Sequence, residues 1–207
     1  DGEKNYLTVP QWYKTTQPYE QGQIKHFLIA MKKGISSDSK EQIEGRAYIT
    51  HEVIRQVNAG AKYLDINVDE VDYNLEVQKK AMRWTVETAQ EVSPIPLSID
   101  SSNSEIIAEG LDSYNGAAGR PLVNSVALER LDALDMALSH DAKVIVMATG
   151  AEGMPEDDRQ RVDNANEIME HVLSKGIALE DVFIDAIVFP ISVDSQYGNH
   201  YFDAVRT

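Results

Sequence analysis

Four apolar runs of this sequence stop at a carboxylate or a carboxamide. Lys62 to Val68 (KYLDINV) carries Asp65 and Asn67, and Pro96 to Ile99 runs into Asp100-Ser101-Ser102-Asn103. Pro121 to Val123 runs into Asn124-Ser125, and Val182 to Ile184 into Asp185. Carboxylates accept hydrogen bonds, while Asn both donates and accepts. A converging set of the two suits a flat, nitrogen-rich heterocycle that presents N–H, amino and carbonyl groups along its edges. Two other readings compete. Asp and Asn also follow strands as helix caps and turn formers, a role that suits Ser102 and Asn103 best because a helix pattern starts right after them. Carboxylates also bind Mg2+ or Ca2+. Against a metal, there is no D-x-D-x-D-G loop, and His51-Glu52 lacks the second histidine of H-E-x-x-H. His26, His51, His140, His171 and His200 all stand away from the run ends. Asp65 and Asn67 alternate within one strand and share a face, which capping does not require; this favours a shared site.

Other chemistries find no residues. With no cysteine, a disulfide framework, an iron–sulfur cluster and a thiol nucleophile are excluded. There is no G-x-G-x-x-G after a strand, no G-x-x-x-x-G-K-[ST] and no G-x-S-x-G elbow. The chain carries 34 acidic and 19 basic residues, a net charge of −15. That balance argues against nucleic acid and anionic membranes, both of which need clustered Lys and Arg. Lys32-Lys33 and Lys79-Lys80 read as solvated helix faces. Asp1 to Glu20 has no apolar core of a signal peptide, and the apolar runs fall far short of the ~20 residues that span a bilayer. The expectation is a cytoplasmic protein.

The elements that must position these side chains follow from periodicity. Helical spacing covers Gln23 to Lys33, Gln42 to Asn58 (closed by Gly60), Leu75 to Val92, Ser104 to Tyr114, Leu128 to His140 and Asp157 to Lys175. Between them lie five short apolar strands, at Lys62–Val68, Pro96–Ile99, Pro121–Val123, Lys143–Ala148 and Val182–Ile184. Ser102-x-x-Glu105 has capping-box spacing for the helix from Ser104. Such alternation implies right-handed βαβ units and a parallel sheet buried on both faces. The expected organisation is one domain, with a helical and loop lead-in over 1–45 and βα units over 46–207. A (β/α)8 barrel takes ~250 residues, so five of its eight strands would be present here, with about three lying before Asp1 and after Thr207. A five-stranded doubly wound sheet has no such deficit, and only the polar residues decide between them.

At these strand ends the sequence resembles the pterin-binding family, which includes methyltetrahydrofolate:corrinoid methyltransferases, the folate domain of cobalamin-dependent methionine synthase, and dihydropteroate synthase. The matching stretches are Ala59-Gly60-Ala61-Lys62-Tyr63-Leu64-Asp65-Ile66-Asn67-Val68, Leu97-Ser98-Ile99-Asp100-Ser101-Ser102-Asn103, Leu122-Val123-Asn124-Ser125 and Phe183-Ile184-Asp185-Ala186-Ile187-Val188-Phe189-Pro190. They cover about Gln42 to Asp194 in order. The resemblance implies a TIM-type (β/α)8 barrel that binds a pterin at the carboxyl ends of its strands. It implies that Asp100, Asn124 and Asp185 are the catalytic, pterin-bonding residues, with Asp65, Asn67, Asn103 and Ser125 lining the same pocket.

The methyltransferase branch fits better than the synthase branch. Where synthases carry a Gly-rich Ser-Thr-Arg-Pro-like loop, Val68-Asp69-Glu70-Val71-Asp72 stands here. The implied activity is transfer of a methyl group from 5-methyltetrahydrofolate to the cobalt of a cobalamin or other corrinoid. No D-x-H-x-x-G is present, so a separate corrinoid protein or domain would deliver it. A homodimer is also implied. The alternatives are a folate-binding module without catalysis and a dihydropteroate synthase-like enzyme. In two places the family pattern is not met: Ala186 replaces the usual proline, and the Gly-Leu-Ser-Asn strand of the methyltransferases does not occur. Gly2-Glu3-Lys4-Asn5 echoes the end of the family's first strand, but no apolar run precedes it.

Overall fold

A computed structural model describes residues 7–151, 153–188, 192 and 200–207. The Gly2 to Asn5 echo and Phe189-Pro190 fall outside these residues. The chain divides into two units, Asp1–Gly119 and Arg120–Thr207.

The first unit opens with a 3-10 turn at Tyr13–Thr15, then α1 (Gln17–Glu20), α2 (His26–Gly34) and α3 (Ser39–Asn58). There follow β1 (Leu64–Asn67), α4 (Leu75–Gln90), β2 (Leu97–Asp100) and α5 (Ser104–Ser113). The start of α2 falls three residues later than periodicity predicts. The Tyr13 hydroxyl accepts from Lys25 N–H (2.8 Å) and donates to Gln23 O (3.1 Å), holding that segment as a loop. In contrast, α3 starts earlier than predicted, because Asp38 accepts from Lys40 N–H (2.7 Å) and Glu41 N–H (3.3 Å) as an N-cap. Gly60 closes α3 at φ +92°, a conformation that costs glycine little.

β1 and β2 are parallel, with Leu64 beside Leu97, Asp65 beside Ser98, Ile66 beside Ile99 and Asn67 beside Asp100. Their outer face packs under α4 and α5, where Leu97, Ile99, Met82, Val86 and Ile107 are fully buried. Each such side chain gains about 1.5–3 kcal/mol from leaving water. Four-residue strands therefore hold by packing rather than by length.

The second unit contains β3 (Leu122–Val126), α6 (Asp132–Ser139), β4 (Lys143–Met147), α7 (Asp158–Ser174), β5 (Val182–Asp185) and α8 (Tyr201–Arg206). All three strands run parallel, β3 beside β4 and β4 beside β5. α6 begins four residues later than predicted, since Arg130 N–H turns back to Ala127 O (2.8 Å). Val123, Val144, Val146, Ile168 and Val172 form its core.

The fold is α/β, each unit built of parallel strands alternating with helices. Burial on both faces holds for β2 but not throughout. β1 alternates buried and exposed, with Asp65 and Asn67 on its exposed face. β5 leaves Phe183 and Ile184 45% and 54% exposed. Among the described residues, no helix is long and apolar enough to cross a membrane.

The amino ends of the second unit's strands carry their own charge pattern. Arg120, just before β3, donates to both oxygens of Asp181 (2.7 and 2.8 Å), with Lys143 of β4 3.6 Å away. Asp181 is buried but paired, so this acid is structural and lies at the end of the strands opposite to the candidate site.

Candidate functional site

Parallel register and alternation put four polar residues of the first unit on one face, as a two-by-two patch. Asp65 and Ser98 form one row, Asn67 and Asp100 the next toward the carboxyl ends. Asn67 donates from Nδ2 to Asp100 Oδ2 (2.9 Å), and Asp65 hydrogen-bonds Asp100 on the diagonal. Ser98 is 2% exposed, and its hydroxyl has no hydrogen-bond partner among the described residues.

Burial pushes the Asp100 carboxyl up from its ordinary 3.8 to about 6. The negative charges of Asp65 and Asp69 contribute to that same rise after burial, and the Asn67 amide opposes it. Asp100 therefore has both forms within reach near neutrality. As a carboxylate it accepts from N–H and amino groups; as an acid it donates to a ring nitrogen.

The capping reading and the site reading can now be separated residue by residue. Asn74 caps α4 through Glu76 N–H (2.9 Å), Asn103 caps α5 through Glu105 N–H (2.8 Å), and Asp157 caps α7 through Gln160 N–H (2.7 Å). The cap of α5 is Asn103, one residue beyond the Ser102 of the capping-box spacing. Ser102 instead turns to Asp69, which accepts from its N–H and its hydroxyl, both at 2.9 Å. Asp65, Asn67 and Asp100 cap nothing.

Asp69 is the site residue that the sequence reading passed over. Its signal was present: Asp65, Asn67 and Asp69 continue the same alternation past the end of β1. A cavity of about 600 Å³ opens beside it, lined by Trp12, Tyr13, Lys25, Lys32, Asp72 and Tyr73 among others. Lys25 pairs with Glu70 (2.7 Å) and Lys32 with Asp72 (3.2 Å).

In the second unit, Asn124, Met147 and Asp185 lie on one face, since Asn124 pairs with Ile145 and Met147 with Asp185. The β3 register shifts between Asn124 and Val126, and the Asn124–Ser125 peptide is cis. Ser125 is buried, its hydroxyl 2.6 Å from Met147 Sδ and 3.5 Å from Arg130 Nη2. Asp185 accepts from Ile187 N–H (2.8 Å). Arg161, 1% exposed, donates to Ala186 O (3.1 Å) and Asp157 O (3.1 Å), and so anchors the exit of β5. Periodicity had placed Arg161 in a helix and gave no sign of its burial.

Every predicted site residue thus lies at, or one to three residues from, the carboxyl end of a parallel strand. The first unit brings Asp65, Asn67 and Asp100 into direct contact and gives Asn103 to capping; the second sets Asn124, Ser125 and Asp185 on β3 and β5. Among the described residues, no group of three or more His, Cys, Asp or Glu is placed to hold a metal ion.

Comparison with known proteins gives the family. One curated relative, a methylcorrinoid:tetrahydrofolate methyltransferase of Eubacterium limosum, is 28% identical over 166 residues, covering 76% of this chain. The match covers 58% of that protein, so the chain spans little more than half of its relative's length. The family described as pterin binding enzyme matches residues 36–206. That match runs over most of the chain's length, and the chain belongs to the pterin-binding enzyme family.

Proposed function

We propose that this chain binds 5-methyltetrahydrofolate through the strand-end patch and exchanges its methyl group with the cobalt of a corrinoid carried by a partner protein. The observation that carries the reading is the hydrogen-bonded set of Asp65, Asn67 and Asp100 at the carboxyl ends of two parallel strands. The E. limosum relative is named for a methylcorrinoid and tetrahydrofolate. Its name gives the reverse direction, and a reaction and its reverse share one transition state.

In the forward sense Co(I) supplies the electron pair of the new cobalt–carbon bond. The N5–methyl bond breaks and its electron pair stays on N5. A tertiary amine is a poor leaving group, so N5 must gain a proton or a hydrogen bond as the bond breaks. Asp100 and Asp185 bind the pterin ring, Asn124 orients it, and Asp65 and Asn67 line the pocket, with Ser125 and Asn103 beside the ring-binding residues. Fixed carboxylates favour positive charge developing on the ring. The corrinoid protein docks over the strand ends.

Calorimetry with 5-methyltetrahydrofolate tests the reading. Wild type binds, and Asp100→Ala weakens binding about tenfold or more, the worth of a charge-assisted hydrogen bond. A folded wild type that does not bind ends the proposal. Methyl transfer to a Co(I) corrinoid, followed by absorbance, separates the enzyme from a binding module. Turnover of a pterin pyrophosphate would reassign the chain to the synthase branch.

A further inference from the structure

Asp69 closes a circuit that no capping or packing need explains. Its N–H donates to Asn67 Oδ1 (2.9 Å), while Asn67 Nδ2 holds Asp100. Its Oδ1 accepts from the Ser101 hydroxyl (2.5 Å), and its Oδ2 accepts from Ser102 N–H and hydroxyl. Ser101 Oγ in turn accepts from Asn103 N–H (3.0 Å). The turn after β1 is thereby tied to the three residues that follow Asp100, and the ring of bonds returns to Asp100 through the chain itself. Ser101 is 2% exposed, so the tie is not a loose surface contact.

We propose that Asp69 is the positioning residue of the pterin pocket, fixing the turn after β2 and with it the carboxyl of Asp100. The inference rests on the reading of Asp100 as a pterin ligand. Asp69 touches serines, and no substrate contact is assigned to it. Its charge has a second consequence, because it disfavours the ionised form of Asp100. The charged groups acting on Asp100 are Asp65 from β1 and Asp69 from the following turn; Asn67 is neutral, and Glu105 of α5 is turned to Lys79 of α4 (2.5 Å).

The test uses the full chain with Asp69→Ala, Asp69→Asn and Ser102→Ala, each checked for folding by its thermal melt. The first readout needs no ligand: the 13C shift of the Asp100 carboxyl against pH, assigned with Asp100→Asn. Its midpoint should fall in Asp69→Ala and Asp69→Asn, which lose the charge, and hold in Ser102→Ala, which keeps it. The second readout is the affinity for 5-methyltetrahydrofolate at pH 8.5, where Asp100 is ionised in every variant. Asp69→Ala should bind about tenfold more weakly. Asp69→Asn, which keeps an acceptor oxygen, should recover most of the loss. A folded Asp69→Ala that binds within twofold of wild type overturns the proposal. If wild type itself does not bind, the functional reading fails and the midpoint decides alone: a fall upholds the link from Asp69 to Asp100, and no change overturns it.

Discussion

Asp100 lies partly buried beside two other carboxyl groups, an arrangement that favours its protonated form over its charged one. Because its pKa is about 6 in the folded chain, against an ordinary 3.8, the native state binds the proton more tightly than the unfolded state does. The stability this contributes is fully present below about pH 4 and is lost as pH rises through 6. The full rise would amount to about 3 kcal/mol, and solvent screening at this part-exposed position reduces that to about 1 kcal/mol. Asp100→Asn keeps an acceptor oxygen for Asn67 and can donate to Asp65, so it imitates the protonated acid at every pH. It should raise stability by about 1 kcal/mol at pH 7.5, flatten the urea midpoint between pH 5 and 7, and weaken 5-methyltetrahydrofolate binding. A variant whose urea midpoint at pH 7.5 lies below wild type would contradict this account. Such an opposition, stability gained as binding is lost, is expected where a charge is held for function rather than for the fold.

The position of that carboxyl depends on how closely α5 approaches β2. A Cβ at Gly110 would stand 2.5 Å from Ile99 Cγ2 and 3.1 Å from Met82 Sδ. Alanine gains about 1 kcal/mol of helix propensity over glycine. Overpacking of a dense core costs about 1–3 kcal/mol, and Ile99 and Met82 are both fully buried. Packing therefore outweighs propensity, and Gly110→Ala should lower stability by about 1–2 kcal/mol in urea melts. Because Ile99 precedes Asp100, the same change should also weaken pterin binding. Ile99→Ala, which removes the Cγ2 methyl that the new Cβ would meet, should make the cost of Gly110→Ala smaller in a double-mutant cycle; purely additive losses would place the strain elsewhere. The elements behind this were legible in the sequence to within a few residues wherever a short-range signal set them: the β1 and β2 runs, the start of α4 at Leu75, Gly60 after α3. The misses came where distant contacts decide. Tyr13 delays α2 by bonding at Gln23 and Lys25, and Asp69 draws Ser102 away from capping. Strand-end placement could be read because register and alternation are local rules; the tie of Asp69 to Ser101 and Ser102 and that of the buried Arg161 to Ala186 could not, because those partners lie 25 or more residues away.

Charge is sorted along the strands: Arg120, Lys143 and Asp181 pair at their amino ends in the second unit, while the first unit gathers Asp65, Asp69 and Asp100 at the carboxyl ends. The two lysines that line the cavity beside Asp69 are already matched, Lys25 by Glu70 and Lys32 by Asp72. On a chain of net charge −15, the proposed folate ligand, with its anionic glutamate tail, would meet repulsion both from the chain's net charge and from the acidic strand ends. Affinity must then come from short-range hydrogen bonds to the pterin edge, which salt hardly screens, while the encounter is governed by long-range fields, which salt does screen. The Debye length falls from about 30 Å at 0.01 M salt to about 8 Å at 0.15 M. The association rate of 5-methyltetrahydrofolate should therefore rise about two- to fivefold over that range, with little change in the dissociation rate. Stopped-flow measurement of both rates checks this. An association rate that falls with salt would mean that Lys25 and Lys32 exchange their acidic partners for the glutamate tail, and Lys25→Gln together with Lys32→Gln should then abolish the salt dependence.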